Sequence, residues 1–193
     1  MRKLIMKMSM SVDGFVAGAN GEMDWIFKTG DAESKAWAVG QSWDAGLIIM
    51  GRKSFEVMAP YWPTSTDAYA PSMNEIPKAL FTQKGFKGFD PGDDQSPAAA
   101  SWAEAQVFNG GDLAGKIREL KAQEGKPIVA IGGAGFMRNL IATGLVDEFR
   151  LAIHPVVLGS GLPIFNGLAM PLYLKLVDVK VFPGGTTVHI YGI

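Results

Sequence analysis

Pro127-Ile-Val-Ala-Ile-Gly-Gly-Ala-Gly-Phe136 is the stretch whose reading decides the fold. Ile128 to Ile131 is a short apolar run rich in β-branched residues, the pattern of a strand buried on both faces. Gly132-Gly133-Ala134-Gly135 follows at once. Apolar residues then return at helical spacing from Phe136 to Ile141, with Gly144 as the stop. Strand, glycine turn and helix in that order leave free backbone N–H groups at a helix N-terminus. With the helix dipole behind them, those donors suit a phosphate. The glycines are not spaced as Gly-x-Gly-x-x-Gly, and no Lys-Ser/Thr pair follows. Taken alone, the same residues also serve a tight turn that needs glycine only for its backbone angles.

Outward from this stretch, a second junction of the same kind stands nearer the start. Leu47-Ile48-Ile49-Met50 reads as a buried strand, and Gly51-Arg52-Lys53-Ser54-Phe55-Glu56 opens a short helix directly after it. An Arg-Lys pair is ordinarily a solvated face. At the carboxyl end of a buried strand it is placed to hold a phosphate. Leu4 to Val12 reads as the first strand, ending in the turn former Asp13-Gly14. Ala19 to Gly30 is a loop whose bunched Met23, Trp25, Ile26 and Phe27 require it to fold back over something. Asp31 to Trp43 is a helix with Asp31 as N-cap, Ser34 at the third position, and Ala36, Trp37, Val39 and Gly40 to one side.

Four prolines make Met58 to Pro77 read as mostly irregular. Ala79 to Thr82 is a strand, and Phe86 to Ala103 an exposed excursion around Asp93 to Pro97. Glu104 to Phe108 is a short strand, and Asp112 caps a helix from Leu113 to Gln123. Val146 to Ile153 is a strand, His154 to Phe165 a turn-rich excursion. Tyr173 to Phe182 and Thr186 to Ile190 form a hairpin through Pro183-Gly184-Gly185 at the sheet edge. The order predicts an α/β chain. Its mostly parallel central sheet is flanked by helices and ends in a C-terminal antiparallel β-hairpin, all in a single domain over 1–193.

Composition narrows the function. Of 193 residues, 48% are hydrophobic and the net charge is -1, which speaks against a nucleic-acid surface. No cysteine is present, so disulfides and thiolate zinc sites are excluded and no metal site is predicted. Polar Lys7, Ser9, Ser11 and Asp13 interrupt the apolar start, so no secretory leader is expected. No run reaches the ~20 apolar residues of a membrane span, and the expected compartment is the cytoplasm.

Three stretches in order, Ser9-Met-Ser-Val-Asp-Gly14, Ile49-Met-Gly-Arg-Lys-Ser-Phe-Glu56 and Val129-Ala-Ile-Gly-Gly-Ala134, resemble dihydrofolate reductase and the riboflavin-biosynthesis reductase that shares its fold. The ending His154-Pro-Val-Val-Leu-Gly-Ser-Gly-Leu-Pro-Ile-Phe165 resembles the riboflavin branch, the C-terminal domain of RibD, more closely. The resemblance covers nearly the whole chain and implies an NADPH-dependent reductase of a small heterocycle. It assigns Gly51, Arg52, Lys53 and Ser54 to the cofactor phosphates, with Arg52 and Lys53 on the 2′-phosphate. Thr82, Gln83 and Lys84 would lie beside the adenosine ribose. Gly132, Gly133, Ala134, Gly135 and Phe136 would clasp the pyrophosphate, and Ser9, Val16 and Ala17 would touch the nicotinamide. The substrate side would be Trp25 and His154, with Asp13 and Asp24 as the catalytic carboxylates. Two positions depart from the pattern. The acid expected after the loop tryptophan falls near Gly30 or Asp31, and Ile131 stands where the riboflavin reductase often carries Glu.

Each assignment has a plainer alternative: Asp13 as a turn former, Asp24 as a solvated loop charge, Trp25 as core, His154 as a hydrogen-bonded structural histidine. A module that binds nucleotide without turnover, and a purely structural domain, are the rival classes. The resemblance also implies a homodimer, with the terminal hairpin and the His154–Phe165 excursion as candidate pairing surface.

Overall fold

The computed structural model describes residues 1–193. One eight-stranded sheet runs through it. Its strands are β1 (Leu4–Ser11), β2 (Leu47–Gly51), β3 (Lys78–Thr82), β4 (Gln106–Asn109), β5 (Ile128–Ala130), β6 (Glu148–His154), β7 (Lys175–Val181) and β8 (Thr187–Gly192). The spatial order is β4-β3-β2-β5-β1-β6-β8-β7. The first six are parallel to their neighbours; β8 pairs antiparallel with β6, and β7 closes the edge antiparallel to β8. The predicted α/β class and terminal hairpin are both present. The helices are α1 (Trp25–Thr29), α2 (Ala32–Ser42), α3 (Arg52–Tyr61), α4 (Ala70–Glu75), α5 (Pro97–Ala103), α6 (Leu113–Ala122) and α7 (Ala134–Ala142). No helix is long and apolar enough to cross a membrane.

Period-two alternation along the inner strands divides the core. Leu4, Met6 and Met10 of β1 face one side, where Ile117 and Leu120 of α6 and Met137, Leu140 and Ile141 of α7 cover them. Ile5, with Ile48, Met50 and Leu80, faces the other, against Phe55 and Ala59 of α3, Met73 of α4 and Trp102 of α5.

Three expectations need correction. The proline-rich stretch Met58 to Pro77 is largely helical: α3 runs to Tyr61, a 3₁₀ turn follows at Trp62–Thr64, and α4 begins at Ala70. Pro71 sits in the first turn of α4, where a missing N–H costs nothing. The excursion from Phe86 to Ala103 ends in α5, capped by Ser96 and carrying fully buried Trp102. Finally, α2 has the predicted Asp31–Ser34 capping box but no buried residue; Ala36 and Gly40 are exposed. It docks through half-buried Trp37, whose ring centre lies 5.9 Å from that of Phe182, and through polar contacts. Lys7 donates to the Ala38 carbonyl at 3.0 Å, Arg150 to Gln41 at 2.8 Å and Asp44 at 3.1 Å, and Ser42 to Ser72 at 2.6 Å.

Lys7 makes stability depend on pH. Burial, and then Arg150, push its pKa down to about 8, with Asp44 opposing. Burial also pushes Lys78 down to about 8, yet the Lys78 ammonium has an acceptor for each proton in Asn74, Ile76 and Ser101. Lys7, with one acceptor, is therefore the group we expect to dominate. Between about pH 8 and 10.5 the unfolded chain binds more protons than the folded one, so stability rises with pH across that window. The expected gain is on the order of 2–3 kcal/mol. Urea midpoints at pH 7.5 and 10 measure it. Lys7→Met should flatten the rise, and an equal gain in that variant refutes the assignment.

Candidate active site

The chain leaves β2 into α3 on one face of the sheet and leaves the adjacent β5 into α7 on the other. Two neighbouring parallel strands whose following helices diverge open a crevice at their carboxyl ends, the switch point where open α/β sheets take ligands. Both glycine junctions are there, side by side. Gly51 N–H donates to the Gly132 carbonyl at 3.2 Å and Ile131 N–H to the Ile49 carbonyl at 3.1 Å.

Glycine is required by this approach. A Cβ on Gly51 would stand 2.7 Å from the Phe136 Cβ, and one on Gly132 would stand 2.9 Å from the Ser54 hydroxyl. Gly133, with φ +83°, turns the backbone into α7. The structure thus unites Gly51, Ser54, Gly132, Gly133 and Phe136 at one crevice, with Ala134 and Gly135 in the first turn of α7. Glycine at these positions lets the two junctions pack against each other, which brings the N-termini of α3 and α7 together, and helix N-termini are groups that suit the phosphates of a dinucleotide.

Arg52 and Lys53 begin α3 at the same place. Arg52 bonds Glu56 at 2.8 Å, reaches the Lys84 carbonyl at 3.4 Å and lies 5.8 Å from the Phe86 ring centre. Lys53 is exposed. Thr82 closes the turn after β3, its hydroxyl donating to the Lys84 carbonyl at 2.7 Å and accepting from the Lys84 N–H at 3.1 Å; Gln83 is exposed. Arg52, Thr82 and Lys84 are therefore one group. Phe81 of β3 stacks on Phe108 at 4.8 Å and on Phe136 at 5.3 Å, an aromatic floor that no local pattern in the sequence announces.

The nicotinamide side, as the resemblance has it, lies around β1. Val16 and Ala17 are buried, and their backbones pair with a distant loop: Val16 N–H donates to Leu162 O at 3.0 Å and Leu162 N–H to Ala17 O at 2.9 Å. Ser9 is half-buried and lies 3.2 Å from Nε2 of His154. His154 is buried, its pKa is pushed below the ordinary value by desolvation, and Trp25 meets it edge-on at 5.4 Å. Trp25 is itself buried and donates to the Glu22 carbonyl at 3.1 Å.

The carboxylates sit at the rim, and each is engaged. Exposed Asp13 accepts from Gly159 N–H at 2.7 Å and Leu158 N–H at 3.2 Å; the Ser11 hydroxyl, then these bonds, hold it below the usual carboxylate range. Exposed Asp24 pairs with Lys28, which holds it low as well. Asp31, nearest the acid position of the resembled enzymes, caps α2 through Ser34 N–H and takes Gly184 N–H at 2.8 Å; these bonds lower its pKa too.

Thr29 was not anticipated. Its hydroxyl meets Nδ1 of His154 at 2.9 Å, a contact across 125 residues that only the docking of α1 creates. A concavity of about 720 Å³ lies elsewhere, between α4 and α5. It is open, lined mostly by polar residue types, among them Asp67, Asn74, Glu75 and Ser101, and none of the glycine-junction residues border it.

The model of the RibD C-terminal domain family matches residues 2–188. YyaP of Bacillus subtilis is 32% identical over 98% of this chain and 94% of its own length, and YwjB of the same organism 27% over 97% of each. Among solved structures, a putative riboflavin biosynthesis protein from a Shewanella species superposes with a TM-score of 0.74 at 20% identity, covering 98% of both chains. A pyrimidine reductase-like protein from Corynebacterium diphtheriae gives 0.69 at 17% identity over 99% of this chain and 91% of the other. A Thermotoga maritima diaminohydroxyphosphoribosylaminopyrimidine deaminase/5-amino-6-(5-phosphoribosylamino)uracil reductase gives 0.68 at 13% identity, this chain spanning 56% of it. These structural likenesses are likenesses of fold. The family match runs from before β1 into β8 and includes both glycine junctions, and the chain belongs to the RibD C-terminal domain family.

Proposed function

We propose that this protein is an NADPH-dependent reductase acting by hydride transfer on a small heterocycle, either pterin-like or resembling 5-amino-6-(5-phosphoribosylamino)uracil. One observation carries the reading: two strand–glycine–helix junctions abut at the switch point, with Arg52 and Lys53 at their mouth. NADPH, when bound, supplies the hydride. The chain's own residues bind and orient. Backbone groups of Gly132 to Phe136 hold the pyrophosphate, Gly51 lets the two junctions close up beside it, and Arg52, Lys53 and Ser54 take the remaining phosphate charge. Thr82, Gln83 and Lys84 border the ribose, and Ser9, Val16 and Ala17 border the nicotinamide. Trp25 lies on the substrate side, with buried His154 behind it. Asp13 and Asp24 are held as carboxylates, so their part is to carry negative charge at the rim rather than to deliver a proton. Residues 1–193 act as one domain, in the cytoplasm.

The test is binding of NADPH and NADH followed by tryptophan fluorescence, then NADPH oxidation with pterins and aminouracils. Arg52→Ala should cut the preference for NADPH over NADH about ten- to a hundredfold, the value of hydrogen bonds to a charged group. An unchanged ratio removes Arg52 from the 2′-phosphate. Since Asp13, Asp24 and Asp31 are all engaged, a second reading is a nucleotide-binding module without turnover. Tight NADPH binding with no oxidation across the panel would select it.

The reading includes a homodimer. Edge strand β7 leaves Val177 and Val181 more than half exposed, and Tyr173 just before it is 86% exposed. An unpaired, apolar edge is a template for a second chain. Light scattering should return twice the mass of one chain, and Val179→Lys should return one. A monomeric wild-type protein refutes the dimer.

A further inference from the structure

Ser9, Thr29 and His154 meet on the α2 side of β1 and β6, where Ser9 pairs in register with Ala152 and Ser11 with His154. Their hydrogen bonds fix the imidazole tautomer by elimination. The Thr29 hydroxyl has one proton, and it donates that proton to the Trp25 carbonyl at 2.7 Å. Toward His154 it can only accept, so Nδ1, 2.9 Å away, carries the ring proton. Burial keeps the ring neutral at neutral pH. Nε2 then has a lone pair and no proton, and the Ser9 hydroxyl 3.2 Å from it must donate. With its single proton committed inward, Ser9 has only oxygen lone pairs left to offer.

We propose that Ser9 is a recognition residue of the crevice, oriented by His154 as an obligate acceptor, and that it takes an N–H of an exocyclic NH2 group, amino or carboxamide, on the bound molecule. This deepens the reductase reading and rests on it. Ser9 and Thr29 are both half-buried, but the Thr29 hydroxyl is already taken by the Trp25 carbonyl and His154, and His154 is itself buried against Trp25. His154 is a positioning residue: it sets which way the serine proton points. A nicotinamide carboxamide and an amino group on a pyrimidine both present the required donor. A carbonyl in the same place would face a second acceptor and be rejected.

Nitrogen-15 NMR of histidine-labelled free protein at neutral pH tests the tautomer, with His154→Phe used to separate His154 from His189. The expected result is a protonated Nδ1 and an unprotonated Nε2; the opposite tautomer overturns the proposal. Binding tests the recognition. Ser9→Ala should weaken either NADPH, which locates the donor on the carboxamide, or 5,6-diaminouracil, which locates it on the second ligand, by about tenfold. Uracil, lacking the amines, should bind variant and wild type alike, and Ser9→Thr should restore what Ser9→Ala loses. Unchanged affinity for both amine-bearing ligands, or an equal loss for uracil and diaminouracil, overturns the proposal. If the wild type binds no nucleotide, the reductase reading fails by itself. The tautomer and the diaminouracil comparison then still decide the role of Ser9.

Discussion

Gly51→Ala is expected to lower NADPH affinity on the order of a hundredfold while leaving a folded chain that is less stable by about 1–3 kcal/mol. The new methyl would lie 2.7 Å from the Cβ of Phe136, an atom fixed to the backbone of α7, so no side-chain rotation relieves the clash. The end of β2 and the start of α7 have to separate. That separation stretches the bond from Gly51 N–H to the Gly132 carbonyl, now 3.2 Å, and moves the N–H groups of both junctions together. Stability falls by the usual cost of overpacking; binding falls further, since each donor is displaced from where a phosphate would sit. Fluorescence titration gives the affinity and urea unfolding the stability. Equal affinity in variant and wild type would mean that the glycines serve only the turn.

Trp102→Ala should cost about 3–5 kcal/mol, the largest stability loss we expect from one truncation. Trp102 is fully buried, packs on Phe55 at 5.5 Å between ring centres, and donates to Asn74 at 2.9 Å. The Lys78 ammonium stands 4.9 Å from its ring centre. Truncation leaves a cavity, an Asn74 oxygen without its donor, and a buried cation without the ring beside it. Because α5 lies away from the crevice, the molecules that stay folded should bind NADPH as the wild type does. A loss below about 1 kcal/mol would show that neighbouring groups collapse into the space.

Much of this frame can be read from residues alone, and the reasons are local. Ile128 to Ile131 and Leu47 to Met50 are unbroken apolar runs rich in β-branched residues, so central parallel strands follow from them. Asp31 with Ser34 specifies the start of α2 with no tertiary help. What escaped had tertiary causes. Pro60 and Pro71 read as breakers because neighbouring residues give no hint that one falls near the end of α3 and the other in the first turn of α4. Trp102 is buried by packing against α3 and α4 rather than by any period in its own segment. The same division holds at the site. Glycine next to a strand marked both junctions, whereas Thr29, 125 residues from His154, carries no mark. Asp13 and Asp24 stand out as the carboxylates nearest the nicotinamide side that the resemblance implies, and the backbone bonds on Asp13 and the Lys28 pair on Asp24 cannot be seen in one dimension.

The place of β1 in the sheet bears on how the chain is made. Leu4–Ser11 leaves the ribosome well ahead of both its partners, β5 at Ile128–Ala130 and β6 at Glu148–His154. At ordinary rates of synthesis the central strand waits on the order of ten to thirty seconds before its second partner exists. Meanwhile Leu4, Ile5 and Met6, all destined for the deepest part of the core, are open to solvent and to other chains. Lys3 and Lys7 flank this run, charges that discourage premature strand pairing. The nascent chain should accordingly depend on holding chaperones more than its modest size suggests, and folding on release should be slow, as expected where the innermost pairings are the most remote in sequence.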